Sequence, residues 1–242
     1  MAKARKGDLL RMNSQNQEVL NRLKGGLIVS CQALKSEPLY SSYIMGRMAF
    51  AAYEGGAVGI RANTPEDIAE IRKTVDLPII GLYKVDYPDS EIYITPTMRE
   101  IDALAAVKPE IIAMDATGRL RPEGKTLTEF FREVRAKYPD QLFMADTASF
   151  EEGLLAQELG FDLVGTTMSG YTPATEGTSL PNFPLMERYV KELKVPIVAE
   201  GGIWYPEQLA QAMELGVWTA VVGTAITRPR DITKRFVKAL HR

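Results

Sequence analysis

Histidine and cysteine are nearly missing from this chain, whose 242 residues include one of each, His241 and Cys31. A single cysteine excludes an intrachain disulfide framework. A single histidine, one residue from the end, excludes triads built on histidine and metal sites built on several. Charge of one sign is lacking too: 29 Lys and Arg face 31 Asp and Glu, a net charge of −2 with no long block of either. No electrostatic footprint therefore points to nucleic acid or an acidic membrane surface. No apolar run is long enough to span a bilayer, and no segment has the pattern of a secretory signal. No Gly-x-Gly-x-x-Gly opens a dinucleotide fold. What remains is an expected cytoplasmic protein with a small-molecule partner.

At 45% hydrophobic content the chain can bury one large core, and its length matches the roughly 250 residues of an eightfold β/α barrel. The most informative stretch is 195–229, VPIVAEGGIWYPEQLAQAMELGVWTAVVGTAITRP. It reads as a buried strand from Pro196 to Ala199, a Glu-Gly-Gly turn, a helix opened by Pro206, and a second strand from Ala220 to Gly223. Such a βαβ unit sets both strands parallel, with their carboxyl ends at one rim. Glu200, Gly201, Gly202, Gly223, Thr224 and Arg228 lie there. In eightfold barrels the last two strand loops commonly hold a phosphate, because glycine lets backbone N–H groups approach it. The expectation is a phosphate grip with a carboxylate beside it.

The same alternation runs through the chain. Residues 1–13 read as a loosely ordered leader without assigned function, and 14–242 as a single domain. A leading helix, Ser14 to Lys24, is expected to cover the barrel floor. Strands follow at Leu27–Cys31, Ala57–Ile60, Pro78–Tyr83, Ile111–Met114, Leu142–Ala145 and Leu163–Gly165, each with a helical segment behind it. The loop 168–184, rich in Gly, Pro and Thr, is long enough to be a lid. Eight strands and eight following helices predict a (β/α)8 TIM barrel with an additional N-terminal helix. A barrel is preferred to an open sheet because polar residues follow nearly every strand rather than gathering at one switch point.

Those polar residues are Gln32, Arg61, Lys84, Asp115, Asp146, Glu200 and Arg228. Singly each can be an ordinary surface residue, and Asp115 and Asp146 can equally be loop caps. Lys84 has the greatest reactive potential. With an ordinary pKa near 10.4, only about 1 in 2,500 lysines is neutral at pH 7, a cost of about 4.6 kcal/mol if the free amine is needed. Desolvation and a nearby cation lower that pKa, whereas a carboxylate raises it. Glu200 can serve as a partner acid or base, or simply anchor a hydroxyl.

Several segments carry a resemblance: GGLIVSCQAL (25–34), GAVGIRAN (56–63), PIIGLYK (78–84), MADTASFEEG (144–153), GFDLVGTTMSGYT (160–172), VPIVAEGGI (195–203) and AVVGTAITRP (220–229). Together they resemble the bacterial N-acetylmannosamine-6-phosphate 2-epimerase family, from about Gly25 to the C-terminus. The resemblance implies a barrel that interconverts N-acetylmannosamine 6-phosphate and N-acetylglucosamine 6-phosphate in sialic acid breakdown, without metal or redox cofactor. It implies Lys84 as the base that moves the C2 proton and Glu200 as the second catalytic carboxylate. Gln32, Arg61 and Asp146 would hold the sugar, and Gly202, Gly223 and Arg228 the phosphate. Two positions depart from the pattern: Val85, where a basic residue is expected, and Ala148, where a hydroxyl residue is more usual.

Proton transfer next to a carbonyl fits the residues independently, since it needs a base and a cation for the developing enolate, and Arg61 or a protonated Lys84 can supply the latter. Two alternatives use the same residues. An aldolase would form a Schiff base at Lys84, and a sugar-phosphate sensor would bind without turnover. Leu, Tyr and Met on the helices leave room for a homodimer surface, with ordinary core packing as the competing reading.

Overall fold

The computed structural model describes residues 13–240. The leader through residue 12, and His241, lie outside the described residues. Asn13, placed with the leader on sequence, belongs to the fold: its side-chain oxygen accepts the Asn16 N–H at 2.8 Å and caps the first helix.

Eight parallel strands close on themselves in chain order. They are β1 (Leu27–Cys31), β2 (Gly59–Asn63), β3 (Ile79–Leu82), β4 (Ile111–Asp115), β5 (Leu142–Asp146), β6 (Leu163–Gly165), β7 (Ile197–Glu200) and β8 (Thr219–Val222). The helices are α1 (Ser14–Leu23), α2 (Ser42–Glu54), α3 (Pro65–Arg72), α4 (Met98–Val107), α5 (Leu127–Lys137), α6 (Phe150–Leu159), α7 (Phe183–Glu192), α8 (Pro206–Glu214), α9 (Thr224–Thr227) and α10 (Pro229–Ala239). Local chemistry sets where they begin. Thr97 with Glu100, Thr126 with Glu129 and Ser149 with Glu152 form reciprocal capping boxes that satisfy the first free N–H groups of α4, α5 and α6.

Side chains alternate across each strand, so the barrel has two apolar cores. Outward residues such as Val29, Ile60, Ile79, Ile112, Phe143, Val164, Ile197 and Ala220 pack against the helices. Inward residues, including Ile28, Ile80, Ile111, Leu142, Leu163 and Val198, fill the interior together with Val19, Leu20 and Leu23 of α1. α1 therefore stoppers the amino-terminal end, as expected of a floor helix. The Trp218 indole N–H fastens it by donating to the Leu20 carbonyl at 2.9 Å.

Three boundaries differ from expectation in ways that matter. β2 runs to Asn63, because Ala62 and Asn63 continue its ladder opposite Gly81 and Leu82, so Arg61 lies inside the strand rather than after it. The one-turn α9 directly after β8 was not expected; four residues carry no readable periodicity. α7 begins at Phe183 rather than Leu185, because the Asn182 side chain accepts the Leu185 N–H at 3.1 Å.

Gly153 of α6 is fitted to its neighbour α7. A Cβ there would lie 2.5 Å from the Tyr189 ring. The ring is held at its far end, where the hydroxyl donates to the Ser149 carbonyl at 2.6 Å and meets the Thr147 hydroxyl at 2.6 Å. Gly153→Ala is therefore expected to destabilise the barrel by about 1–3 kcal/mol, the usual cost of overpacking a filled interface, read from the urea unfolding midpoint.

Candidate active site

The inward parity that builds the interior core continues upward into charge. Ile28, Ser30 and Gln32 share one face of β1 and its extension. Gly59, Arg61 and Asn63 do so on β2, Ile80, Leu82 and Lys84 on β3, Leu142, Met144 and Asp146 on β5, and Val198 and Glu200 on β7. The apolar layers thus end in a layer of ionisable groups at the carboxyl rim.

Arg61 is at its centre and almost wholly buried, at 1% exposure. Its Nη1 and Nη2 donate to the two Asp146 oxygens at 3.0 and 2.5 Å, a bidentate pair. Nη1 also donates to Glu200 Oε2 at 2.6 Å. Burial alone would depress the guanidinium's pKa, but the Asp146 and Glu200 carboxylates outweigh it and hold Arg61 above its usual value. The Thr167 hydroxyl lies 2.8 Å from Asp146 Oδ1 and 3.0 Å from Glu200 Oε2, tying the same group together.

Lys84 follows β3 on a braced turn. Its backbone N–H donates to Asn63 Oδ1 at 2.9 Å, and a bridge to Ile94 holds the opposite side. Thr95 fixes the preceding residue, accepting the Tyr83 N–H at 3.1 Å while its own hydroxyl donates to the Ala113 carbonyl at 2.7 Å. The buried Arg121 supports this turn from behind, donating to the carbonyls of Thr95 at 3.0 Å, Pro96 at 2.9 Å and Asp115. The Lys84 amine itself has no hydrogen-bond or ion-pair partner among the described residues. Burial and the cations Arg61 and Arg228 push its pKa down to about 8, against the pull of Glu200 and Asp146. Glu200 moves the other way. Burial raises its pKa above the ordinary carboxylate range, and Asp146 adds to the rise, although Arg61 opposes it. Its Oε2 is committed to Arg61 and Thr167, whereas Oε1 has no partner among the described residues.

Lys84 and Glu200 line one cavity of about 250 Å³. At its far side are Gly201, Gly202, Gly223, Thr224 and Arg228. Gly201 and Gly202 have φ of +107° and +72°, a conformation that favours glycine. A Cβ on Gly202 would also meet the Leu180 Cβ at 2.3 Å, because the loop after β6 presses Leu180 onto this turn. The Thr224 and Ala225 N–H groups opening α9 have no intrahelical acceptor, whereas those of Ile226 and Thr227 donate to the Gly223 carbonyl. Arg228 is steadied by Glu37, 3.3 Å from its Nε. A neighbouring recess of about 120 Å³ shares Gln32, Lys84, Thr167, Tyr171 and Glu200 with this cavity and reaches Arg61.

The rim residues do not all converge on the cavity. Gln32, Lys84, Glu200, Gly201, Gly202, Gly223, Thr224 and Arg228 line its main part, and Arg61 lines the recess. Asp146 lines neither, being fully buried beneath Arg61. Asp115 is a loop cap: Oδ1 accepts the Thr117 N–H and hydroxyl at 2.9 and 2.7 Å, and Oδ2 accepts from Arg119 at 2.6 Å. Thr167, Asn63 and Tyr171 were missed on sequence. Thr167 was readable, since it continues the inward parity of Leu163 and Gly165, but Tyr171 enters from a loop without periodicity. The two departures are structural neighbours of the site. Val85 makes the backbone bond to Tyr93 at 3.0 Å, and the small Ala148 is buried with the interior core.

A neutralisable amine, a carboxyl of raised pKa and a fixed cation around one cavity define the class, a (β/α)8-barrel enzyme working by acid–base chemistry. The family model described as "Putative N-acetylmannosamine-6-phosphate epimerase" matches residues 45–242. A protein of Enterobacter sp. (strain 638) described as a 2-epimerase for the same sugar phosphate is 55% identical, covering 92% of this chain and 95% of its own. One from Clostridioides difficile (strain 630) is 53% identical, covering 92% and 99%. The solved N-acetylmannosamine-6-phosphate 2-epimerase from Clostridium perfringens superimposes with a TM-score of 0.87 at 52% identity, covering 91% of this chain and 95% of that one. A thiamine phosphate pyrophosphorylase from Pyrococcus furiosus, 21% identical with a TM-score of 0.59 over 89% and 93%, shares the fold alone. This chain belongs to the N-acetylmannosamine-6-phosphate 2-epimerase family.

Because Asp146 neutralises a buried guanidinium, its loss leaves Arg61 with Glu200 as its one remaining carboxylate. Asp146→Ala is expected to cost about 3 kcal/mol of stability in urea unfolding, as removal of one partner from a buried ion pair does.

Proposed function

We propose that the enzyme interconverts N-acetylmannosamine 6-phosphate and N-acetylglucosamine 6-phosphate by removing and returning the proton at C2 of the sugar. The observation that carries this reading is the free Lys84 amine and the free Glu200 oxygen sharing one cavity, with Arg61 bound between acids at its depth. The C2 proton is acidic only when the ring is open and C1 is an aldehyde. The phosphate takes the glycine side, against the amides near Gly202 and Gly223 and the Arg228 guanidinium. That sets C1 and C2 at the opposite end, beside Lys84.

Neutral Lys84 removes the C2 proton. With its pKa near 8, about one molecule in ten carries the free amine at pH 7, roughly 250-fold more than for an ordinary lysine. Negative charge then spreads onto the C1 oxygen, where the Arg61 cation stabilises it without reorganising, since Asp146 already holds it in place. Arg61 acts on that oxygen through its charge, since both Nη atoms are bound to carboxylates and Nε is sealed from solvent. Glu200, protonated through its raised pKa, returns a proton from Oε1 to the other face of C2. In this scheme Asp146 is a positioning residue for Arg61, not a sugar ligand. Tyr171 and the loop carrying Leu180 limit water entry. The family assignment leaves the Schiff-base aldolase and sensor readings without support.

The reading extends to setting and assembly. A phosphorylated sugar is too strongly charged to cross a bilayer unaided, which supports a cytoplasmic site of action. We place the homodimer surface on α10, which buries none of its residues and exposes Phe236 and Val237, with Leu240 just beyond.

Two measurements test the chemistry. In deuterated water, proton NMR of N-acetylmannosamine 6-phosphate is expected to show epimerised product carrying solvent deuterium at C2. Lys84→Ala is expected to lower that rate by about 100- to 10,000-fold; product without deuterium, or an unimpaired variant, would overturn the assignment. Lys84 works only when neutral and Glu200 only when protonated, at about 8 and about 7, so kcat/KM is expected to pass through a maximum between those values, falling below it as Lys84 gains a proton and above it as Glu200 loses one.

A further inference from the structure

We infer that Arg121 is a positioning residue for Lys84: acting through Thr95, it holds the turn after β3 so that the amine stays buried beside the cavity, and it reaches no substrate atom itself. This rests on Lys84 being the base for the C2 proton. Arg121 is 1% exposed and lines neither the cavity nor the recess. No carboxylate pairs with it among the described residues, because Asp115, the acid beside it, is already taken by Arg119 and Thr117. Its Nε has no partner among those residues, and its guanidinium lies over the Phe130 ring, 4.2 Å from the centroid. A cation buried in this way costs more than an apolar side chain of similar volume, so the fold alone gives no reason to carry it.

What Arg121 does hold is backbone. The Thr95 and Pro96 carbonyls it bonds belong to the loop after β3, and the Asp115 carbonyl ends β4. A tight turn aims the side chain there, with the Arg121 N–H on the Lys125 carbonyl at 2.9 Å and the Gly124 N–H on the Arg121 carbonyl at 3.0 Å. Thr95 is the residue that needs holding. Its φ of +48° lies in the left-handed region, which a β-branched residue seldom enters and which persists only where the surroundings fix it. In that conformation its N–H donates to the Tyr83 carbonyl at 2.8 Å and its hydroxyl accepts the Tyr83 N–H, while the Val85 N–H donates to the Tyr93 carbonyl. Both chain neighbours of Lys84 are thereby clamped to residues 93–95, and Ile94 is bridged to Lys84 itself. The charged groups facing the amine are Arg61 from β2, Asp146 from β5, Glu200 from β7 and Arg228 beyond β8, with the Tyr93 and Tyr171 phenols on the same recess. Arg121 lies behind the turn, so its influence on Lys84 travels through geometry rather than charge.

The test is Arg121→Met, which keeps a flexible stem over Phe130 and removes the donors, assayed beside the wild type for epimerisation in deuterated water across the pH range. Its kcat is expected to fall by about 100-fold with KM held within about threefold, the pattern of a misplaced base rather than of lost binding. The alkaline limb of kcat/KM separates the two roles. While Glu200 loses its proton Lys84 gains its free amine, and the rate falls only once Lys84 is fully neutral, so that limb follows Lys84. An amine released toward solvent regains a higher pKa, and the limb is expected to move up by about one pH unit or more in the variant. Arg121→Lys keeps the charge but cannot span three carbonyls; it is expected to fall between wild type and Arg121→Met, and it is read instead if the Met variant is not folded by circular dichroism. A folded variant that loses rate with its alkaline limb unmoved, that loses it in KM alone, or that keeps its kcat overturns the inference alone. A wild type that incorporates no deuterium, or an unimpaired Lys84→Ala, overturns the epimerase reading instead.

Discussion

A guanidinium almost sealed from water inside a barrel is the constraint from which the rest of the site follows. Removing a cation from solvent costs several kcal/mol unless opposite charge and hydrogen bonds replace the hydration. Arg61 meets that condition with two carboxylates, Asp146 bidentate from β5 and Glu200 from β7. Three strands distant in sequence are thereby locked at one height above the apolar interior. The arrangement is rigid because each acid is also held elsewhere by Thr167.

Burial, more than this cation, brings the pKa values of the two proposed proton carriers toward each other. Burial and then the Arg61 cation discourage Lys84 from being charged, while burial and Asp146 encourage Glu200 to hold its proton against the pull of Arg61. One amine and one carboxyl are thus brought close to neutral pH from opposite ends of the scale. Neither group needs a histidine, which resolves how a chain with only His241 can carry out proton transfer.

Strand parity made the barrel and much of its site legible in the sequence. Short apolar runs ending in Gln32, Lys84, Asp146 and Glu200 announced both the fold and the rim. Arg61 was found but placed after its strand, since a charged residue inside a buried run reads as a terminator unless its partners are known. Asp146 was assigned to the sugar only through the resemblance, and its burial under Arg61 was not legible, since a carboxylate pointing at a cavity and one hidden beneath an arginine look identical in one dimension. Tyr171 and Leu180 come from a long irregular loop, where no period links residue number to direction. Their positions depend on tertiary packing against Gly202, and no local pattern encodes that.

The amino-terminal plug has a further meaning for traffic through the molecule. With Val19, Leu20 and Leu23 of α1 wedged among Ile28, Ile80 and Leu142, the barrel has one doorway rather than two. Both epimers must use it, so each arrival waits for a departure. Inventories of the two sugars in the surroundings then govern net flux through simple queueing at a shared gate, and the catalyst imposes no direction of its own.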